Sequence, residues 1–205
     1  MFEVVVRGLP PGMLHHNIDG GFVPSPAREE LNRLTSMSPK AKKEPANVAR
    51  MQALEWQLGF YKKTVKGKDY PTLPPRVIRA TIHTAAKLTR DGQRVNRGLQ
   101  VLPAVDFEYG EHSGKAIEEL AGIPEFRFDA VVAVQRQRVL RVRPLFPQWQ
   151  ARFRVRVLSD QVNEADLRVW LRSAGSMIGF GDWRPDKGGE FGMFELVSLD
   201  EVPND

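Results

Sequence analysis

Trp149-Gln-Ala-Arg-Phe-Arg-Val-Arg-Val157 alternates without a break. Trp149, Ala151, Phe153, Val155 and Val157 fall on one side of an extended chain. Gln150, Arg152, Arg154 and Arg156 fall on the other. Side chains of a strand point to opposite faces in turn, so this pattern predicts a half-buried β-strand with a cationic outer face. Downstream, Asn163 stands where a helix cap belongs. Leu167, Trp170, Leu171 and Ala174 then recur at i, i+3, i+4 and i+7, which predicts an amphipathic helix that exits at Gly175. A glycine-rich stretch follows, and Glu190–Leu199 reads as the last strand.

Upstream of the opening stretch, Phe126, Phe128, Ala130, Val132 and Val134 alternate, Gln135-Arg-Gln137 reads as a turn, and Val139–Val142 returns as a hairpin partner. Pro144-Leu-Phe-Pro147 reads as a corner. Leu99–Tyr109 is a further strand, and residues 110–124 read as a loop with a helical turn near Ala116–Leu120. Pro71-Thr-Leu-Pro-Pro75 opens a helix with Val77, Ile78, Ile82, Ala85 and Ala86 on one stripe, and Asp91-Gly92 stops it. Phe2–Gly8 is a β-rich run ended by Leu9-Pro-Pro-Gly12, and Met13–Gly21 reads as a loop. Residues 22–47 carry four prolines and several serines and read as an irregular excursion. Asn47–Tyr61 has helical spacing, and Lys62–Lys68 reads as a basic turn or hairpin.

Stripped of insertions the order is βαββαβ. It predicts an α+β fold: a ferredoxin-like, RNA-recognition-type antiparallel sheet with helices on one face. A long basic insertion follows the first strand, and a glycine-rich loop precedes the last. The expected organisation is one domain over residues 1–205, with core 1–21 and 71–199 and insertion 22–70. In that fold the sheet face away from the helices is free for single-stranded nucleic acid.

The 205 residues include 30 Lys and Arg against 25 Asp and Glu, a formal net charge of +5. The excess is concentrated. Residues 28–68 hold ten Lys and Arg against four acids, and residues 126–156 hold eight Arg against Asp129 alone. Two basic segments on an otherwise acidic chain point to a polyanionic partner. The absence of Cys fits a reducing compartment, and with no signal-like N-terminus or long apolar run the expected location is the cytoplasm, away from membranes.

The glycine-rich stretch is Ile178-Gly-Phe-Gly-Asp-Trp-Arg-Pro-Asp-Lys-Gly-Gly-Glu-Phe-Gly-Met-Phe-Glu-Leu196. It runs from helix to strand, the reverse of a dinucleotide fingerprint, and no Ser or Thr follows Lys187, so it is no nucleotide cradle. No cofactor motif and no metal-ligand spacing is present. Glycine at this density implies φ > 0 or close approach. Two readings stand side by side: Asp182 pairs with Arg184 while Trp183 packs on the core, or the loop amides with Arg184 or Lys187 hold a phosphate backbone.

Arginine grips phosphate bidentately and stacks on bases, which makes Arg141, Arg143, Arg152, Arg154 and Arg156 candidate RNA ligands; a solvated sheet face is the alternative. Lys40, Lys42 and Lys43, with the aromatics Trp56, Phe60 and Tyr61 further along the insertion, form a second basic candidate. His15 and His16, followed by Asp19, are the weak catalytic candidates. A histidine there suits cleavage of RNA through its own 2′-OH. His83 sits on a helix and His112 in a loop beside Glu111.

With these parts in place, the chain resembles the RAMP superfamily of CRISPR-associated proteins. The resemblance rests on Phe2–Gly8 as first strand, on the order of elements, and on Gly179–Glu195 as the C-terminal glycine-rich loop. It implies a guide-RNA-binding backbone subunit that assembles with copies of itself and with other effector subunits along a CRISPR RNA, near a target DNA or RNA strand. In that role Gly179, Gly181, Arg184 and Lys187 shape the RNA-facing loop, and the insertion clamps RNA or reaches a neighbouring copy. The alternatives are a metal-independent endoribonuclease of the same superfamily and a phage structural or assembly protein.

Overall fold

The computed structural model describes residues 1–17, 24–134 and 137–203, with side chains omitted for 132–138. Asp19, Gly20, Gly21 and the turn expected at Gln135 and Arg136 lie outside the described residues. The chain has an α+β architecture with antiparallel sheets.

The opening stretch forms β8 (Gln150–Val157) at the heart of a four-stranded antiparallel sheet. Its neighbours are β1 (Phe2–Gly8) and β5 (Leu99–Glu108), and β9 (Phe194–Glu201) pairs with the far side of β1, giving the order β5-β8-β1-β9. Register puts Phe153 between Val4 and Val105, and Val155 between Phe2 and Val101. These apolar residues share one core with two helices, α4 (Pro75–Lys87) and α7 (Glu164–Ser173). Ile78, Ile82, Ala85 and Ala86 supply the stripe of the first, and Leu167, Trp170 and Leu171 that of the second. Asn163 Oδ1 accepts the Asp166 N–H at 3.0 Å while the Asp166 carboxylate accepts the Asn163 N–H at 3.0 Å, a capping box that sets where α7 begins.

The excursion expected over 22–47 is instead helical where it is described. Ser25, Ser38 and Glu44 each precede a proline, and each proline starts a helix: α1 (Pro26–Thr35), α2 (Pro39–Lys42) and α3 (Pro45–Gly59). A proline in the first turn loses no hydrogen bond, and Ser25 and Ser38 cap the amides of Arg28 and Ala41. Residues that looked like breakers are start signals. The basic hairpin is present as β3 (Lys62–Val65) and β4 (Lys68–Pro71), turned by Lys66 and Gly67, both at positive φ.

Other boundaries move. Pro71 ends β4, so α4 starts only at Pro75. Asp91-Gly92 leads straight into α5 (Gly92–Gly98), and α6 (Ile117–Leu120) is the expected single turn. Pro144-Leu-Phe-Pro147 is not a corner until after Phe146. It completes β7 (Gln137–Phe146), which pairs with β6 (Arg127–Val134) on one side and with β2 (Met13–Leu14) on the other. Pro144 fits there because its carbonyl still accepts the His15 N–H at 3.0 Å. Met13–Leu14 is thus a strand where a loop was expected, and β9 begins four residues later than expected because Glu190–Met193 belong to the glycine loop.

Candidate nucleic-acid interface

The arginines divide between two sheets. Arg152, Arg154 and Arg156 project from the face of β8 opposite the core, as alternation requires. That face is not purely cationic. Arg152 Nη1 donates to Glu3 Oε1 at 2.9 Å, Arg154 Nε lies 3.7 Å from Glu3 Oε2, and Arg7 is bound to Glu195. Asp106 stands opposite Arg152, and Arg156 stands opposite Gln100. Acids on β1 and β5 offset the cations of β8, and one on β9 offsets Arg7, which an alternating reading of one strand does not reveal.

Arg141 and Arg143 sit on β7, in the other sheet, and meet acids from two distant segments. Glu55 of α3 accepts from Arg141 Nη1 and Arg143 Nη1, each at 3.2 Å, and its second oxygen accepts the Val142 N–H at 3.1 Å. Arg143 Nε donates to Asp182 Oδ2 at 3.0 Å. The Arg143 side chain is only 15% exposed. This network ties the insertion, the hairpin and the glycine loop together. Sequence reasoning missed Glu55 and Asp182 as arginine partners on β7, since each stands far from β7 along the chain.

His16 joins the same cluster, with Nδ1 3.4 Å from Asp182 Oδ2. Burial and then the Arg143 charge push its pKa below the usual histidine range, against the opposing pull of Asp182. His15 is different. It is fully buried among Phe60, Tyr61, Phe107 and Phe146. Burial alone lowers its pKa to about 3. The Tyr61 N–H donates to its Nδ1 at 3.3 Å, which places the ring proton on Nε2, where no acceptor meets it among the described residues. A neutral imidazole inside an aromatic cluster has no route to a substrate, so of the two histidines only His16 stands at the surface. His112 lies beside a cavity of about 410 Å³, with Nε2 3.0 Å from Glu125 and Nδ1 2.8 Å from Lys115 Nζ.

The glycine loop is clamped to the rest of the chain by its backbone. The Asp182 N–H donates to Leu14 O at 2.9 Å, the Gly192 N–H to Gly12 O at 2.7 Å, and the Phe180 N–H to Gly192 O at 2.9 Å. Gly181, at φ +77°, presses so close to β2 that a Cβ would fall 2.1 Å from Leu14 O. Gly179, at φ +76°, packs against the Pro185 ring in the same way. Both glycines therefore serve close internal packing. The expected Asp182–Arg184 pair does not form, because Arg143 holds Asp182. Arg184 donates to Gly181 O at 2.9 Å and reaches Asp186 at 3.4 Å, and Lys187 lies 3.3 Å from the same carboxylate. Trp183, expected on the core, is 47% exposed.

The insertion carries a concentration of unneutralised charge. Among the described residues, Lys40 and Lys42 of α2, Lys43 capping its C-terminus, and Lys63, Lys66 and Lys68 of the β3–β4 hairpin make no ion pair; Lys62 is held by Asp69. The hairpin residues Lys62–Lys68 are all exposed. The aromatics of this segment face inward instead: Trp56 and Phe60 are buried, and Trp56 Nε1 donates to Phe126 O at 2.8 Å.

The sequence matches no protein-family model and no curated protein. Among the described residues no helix is long and apolar enough to cross a membrane, and no cluster of three or more His, Cys, Asp or Glu has the geometry to hold a metal ion.

Proposed function

We propose that this protein binds single-stranded RNA through its lysine-bearing insertion, on a ferredoxin-like core. The observation that carries the proposal is the contrast in neutralisation. Among the described residues, six insertion lysines have no carboxylate partner, whereas of the five candidate arginines Arg141, Arg143, Arg152 and Arg154 are each held by one and Arg156 alone is not. A phosphate chain gains most from cations that have no internal partner to surrender. The strand order β9-β1-β8-β5, with α4 between the first two core strands and α7 between the last two, supports the ferredoxin-like assignment.

Within that proposal, the role is a guide-RNA-binding backbone subunit of a CRISPR ribonucleoprotein, packing against further copies and other effector subunits. The projecting hairpin and its neighbouring helices fit an element that clamps an RNA strand. The protein is expected to bind a labelled single-stranded RNA in an anisotropy titration, and with six phosphate contacts affinity falls by roughly 300-fold between about 50 and 200 mM salt. An affinity independent of salt contradicts the proposal. Mass photometry on a long RNA checks the assembly: several copies per strand are expected, and one copy per strand contradicts the backbone role.

A further inference from the structure

We infer that Trp183 is a stacking platform for a nucleobase of the bound strand. The inference rests on the RNA-binding proposal and adds a site that none of the phosphate-directed residues supplies.

Trp183 is held in a conformation that a side chain with a Cβ disfavours, at φ +49°. The loop fixes it there from both ends. The Trp183 N–H donates to Asp182 Oδ1 at 3.0 Å, and the Trp183 carbonyl accepts the Phe191 N–H at 3.1 Å. Gly189 passes so close beneath it that a Cβ would lie 1.9 Å from Trp183 O. This arrangement leaves Trp183 47% exposed, and its indole N–H meets no acceptor among the described residues. One ring face is supported: Phe191 lies near-parallel at 22° with centroids 6.0 Å apart, and Phe128 lies 6.2 Å away. The ring is therefore braced from inside and open outside.

The surroundings favour a base over an aliphatic or acidic guest. Phe128 is the register partner of Arg143, and Ala130 that of Arg141, so the aromatic support and both arginines share one face of the β6–β7 ribbon. The acids that reach this face, Glu55 and Asp182, are already occupied by Arg143. Arg141 donates to Glu55 as well, at 3.2 Å, so neither acid is left unpaired to repel a strand. An open, internally braced indole on a face whose acids are already paired matches a nucleobase, with the phosphates of the strand left to the insertion lysines.

The other three tryptophans, Trp56, Trp149 and Trp170, are buried, so Trp183 is the one whose emission a stacked base would quench. The test titrates the full chain and its Trp183→Phe and Trp183→Ala variants with single-stranded RNA and with an abasic strand of equal length. Labelled-strand anisotropy reports binding, and intrinsic emission reports stacking. The expected result is quenching of the wild type by RNA, none by the abasic strand, and none in Trp183→Phe. Trp183→Ala should weaken RNA binding about tenfold while Trp183→Phe keeps most of it. RNA that binds by anisotropy but leaves wild-type emission unchanged, or binds Trp183→Ala as tightly as wild type, overturns the platform and leaves the RNA-binding proposal standing. Absence of any anisotropy change at low salt overturns the RNA-binding proposal itself, and the platform with it.

Discussion

Arg143 Nε donates to Asp182 Oδ2 at 3.0 Å while Arg143 Nη1 donates to Glu55 Oε1 at 3.2 Å, so one guanidinium bridges the glycine loop and the insertion helix. The bridge is mostly sheltered. Removing it leaves two carboxylates near each other with Arg141 as the remaining cationic partner. Arg143→Ala is expected to cost about 2 kcal/mol in urea unfolding. Arg141→Ala, at a more exposed end of the same network, is expected to cost less than about 1 kcal/mol. Equal costs for the two variants contradict the bridging role.

His15 makes stability depend on pH. Its pKa is about 3 in the folded chain, against roughly 6.5 when unfolded. Above the unfolded value both states are neutral and stability is complete. As pH falls below it, the unfolded chain takes up a proton that the folded chain refuses, so stability drops by about 1.4 kcal/mol per pH unit until the folded pKa is reached. Unfolding midpoints measured between pH 7.5 and about 5 should show this loss. His15→Leu should be less stable at neutral pH, because the Tyr61 N–H loses its acceptor, yet its midpoint should vary less across the same range. A variant with undiminished pH dependence places the titration elsewhere.

The glycines of the loop separate into two kinds. Gly188 has φ +74° with open space where a Cβ would go, and Gly192 has φ +75° with Phe180 O only 1.8 Å from that position. Gly188→Ala meets only the cost of the left-handed conformation, about 1 kcal/mol. Gly192→Ala must also push apart the backbones of Phe180 and residue 192, and a loss above about 3 kcal/mol is expected. Thermal unfolding of both variants distinguishes these costs, and a mild effect at Gly192 contradicts the clamped loop.

The core is legible in the sequence where one period governs a whole element. The alternation of β8, the capped stripe of α7 and the stripe of α4 each identify a face without any knowledge of partners. Proline is ambiguous because the same residue ends one element and begins another; only the preceding Ser25 and Ser38 distinguish a helix start from a loop. The candidate site is half legible. Arg141 and Arg143 are visible as cations, but their partners Glu55 and Asp182 come from segments far apart in sequence, and no local pattern encodes that meeting. His15 and His16 are adjacent and chemically identical, and only the packing of β2 against β7 buries one and exposes the other. Trp183 reads as a core residue because large aromatics usually are; the glycines around it, which permit a clamped loop, are the signal that it need not be.

On the proposed function, RNA is held by the unpaired lysines of the insertion and not by the carboxylate-bound arginines of the sheet. The salt dependence of single-stranded RNA binding in two multiple variants separates these two sets of cations. Replacing Lys63, Lys66 and Lys68 with Ala should lower the slope of log affinity against log salt by about 2, as expected for three lost phosphate contacts on a single strand. Replacing Arg152 and Arg154, the two held by Glu3, with Ala should leave the slope close to that of the wild type. A slope unchanged by the lysine variant and reduced by the arginine variant contradicts the account and returns the interface to the sheet face.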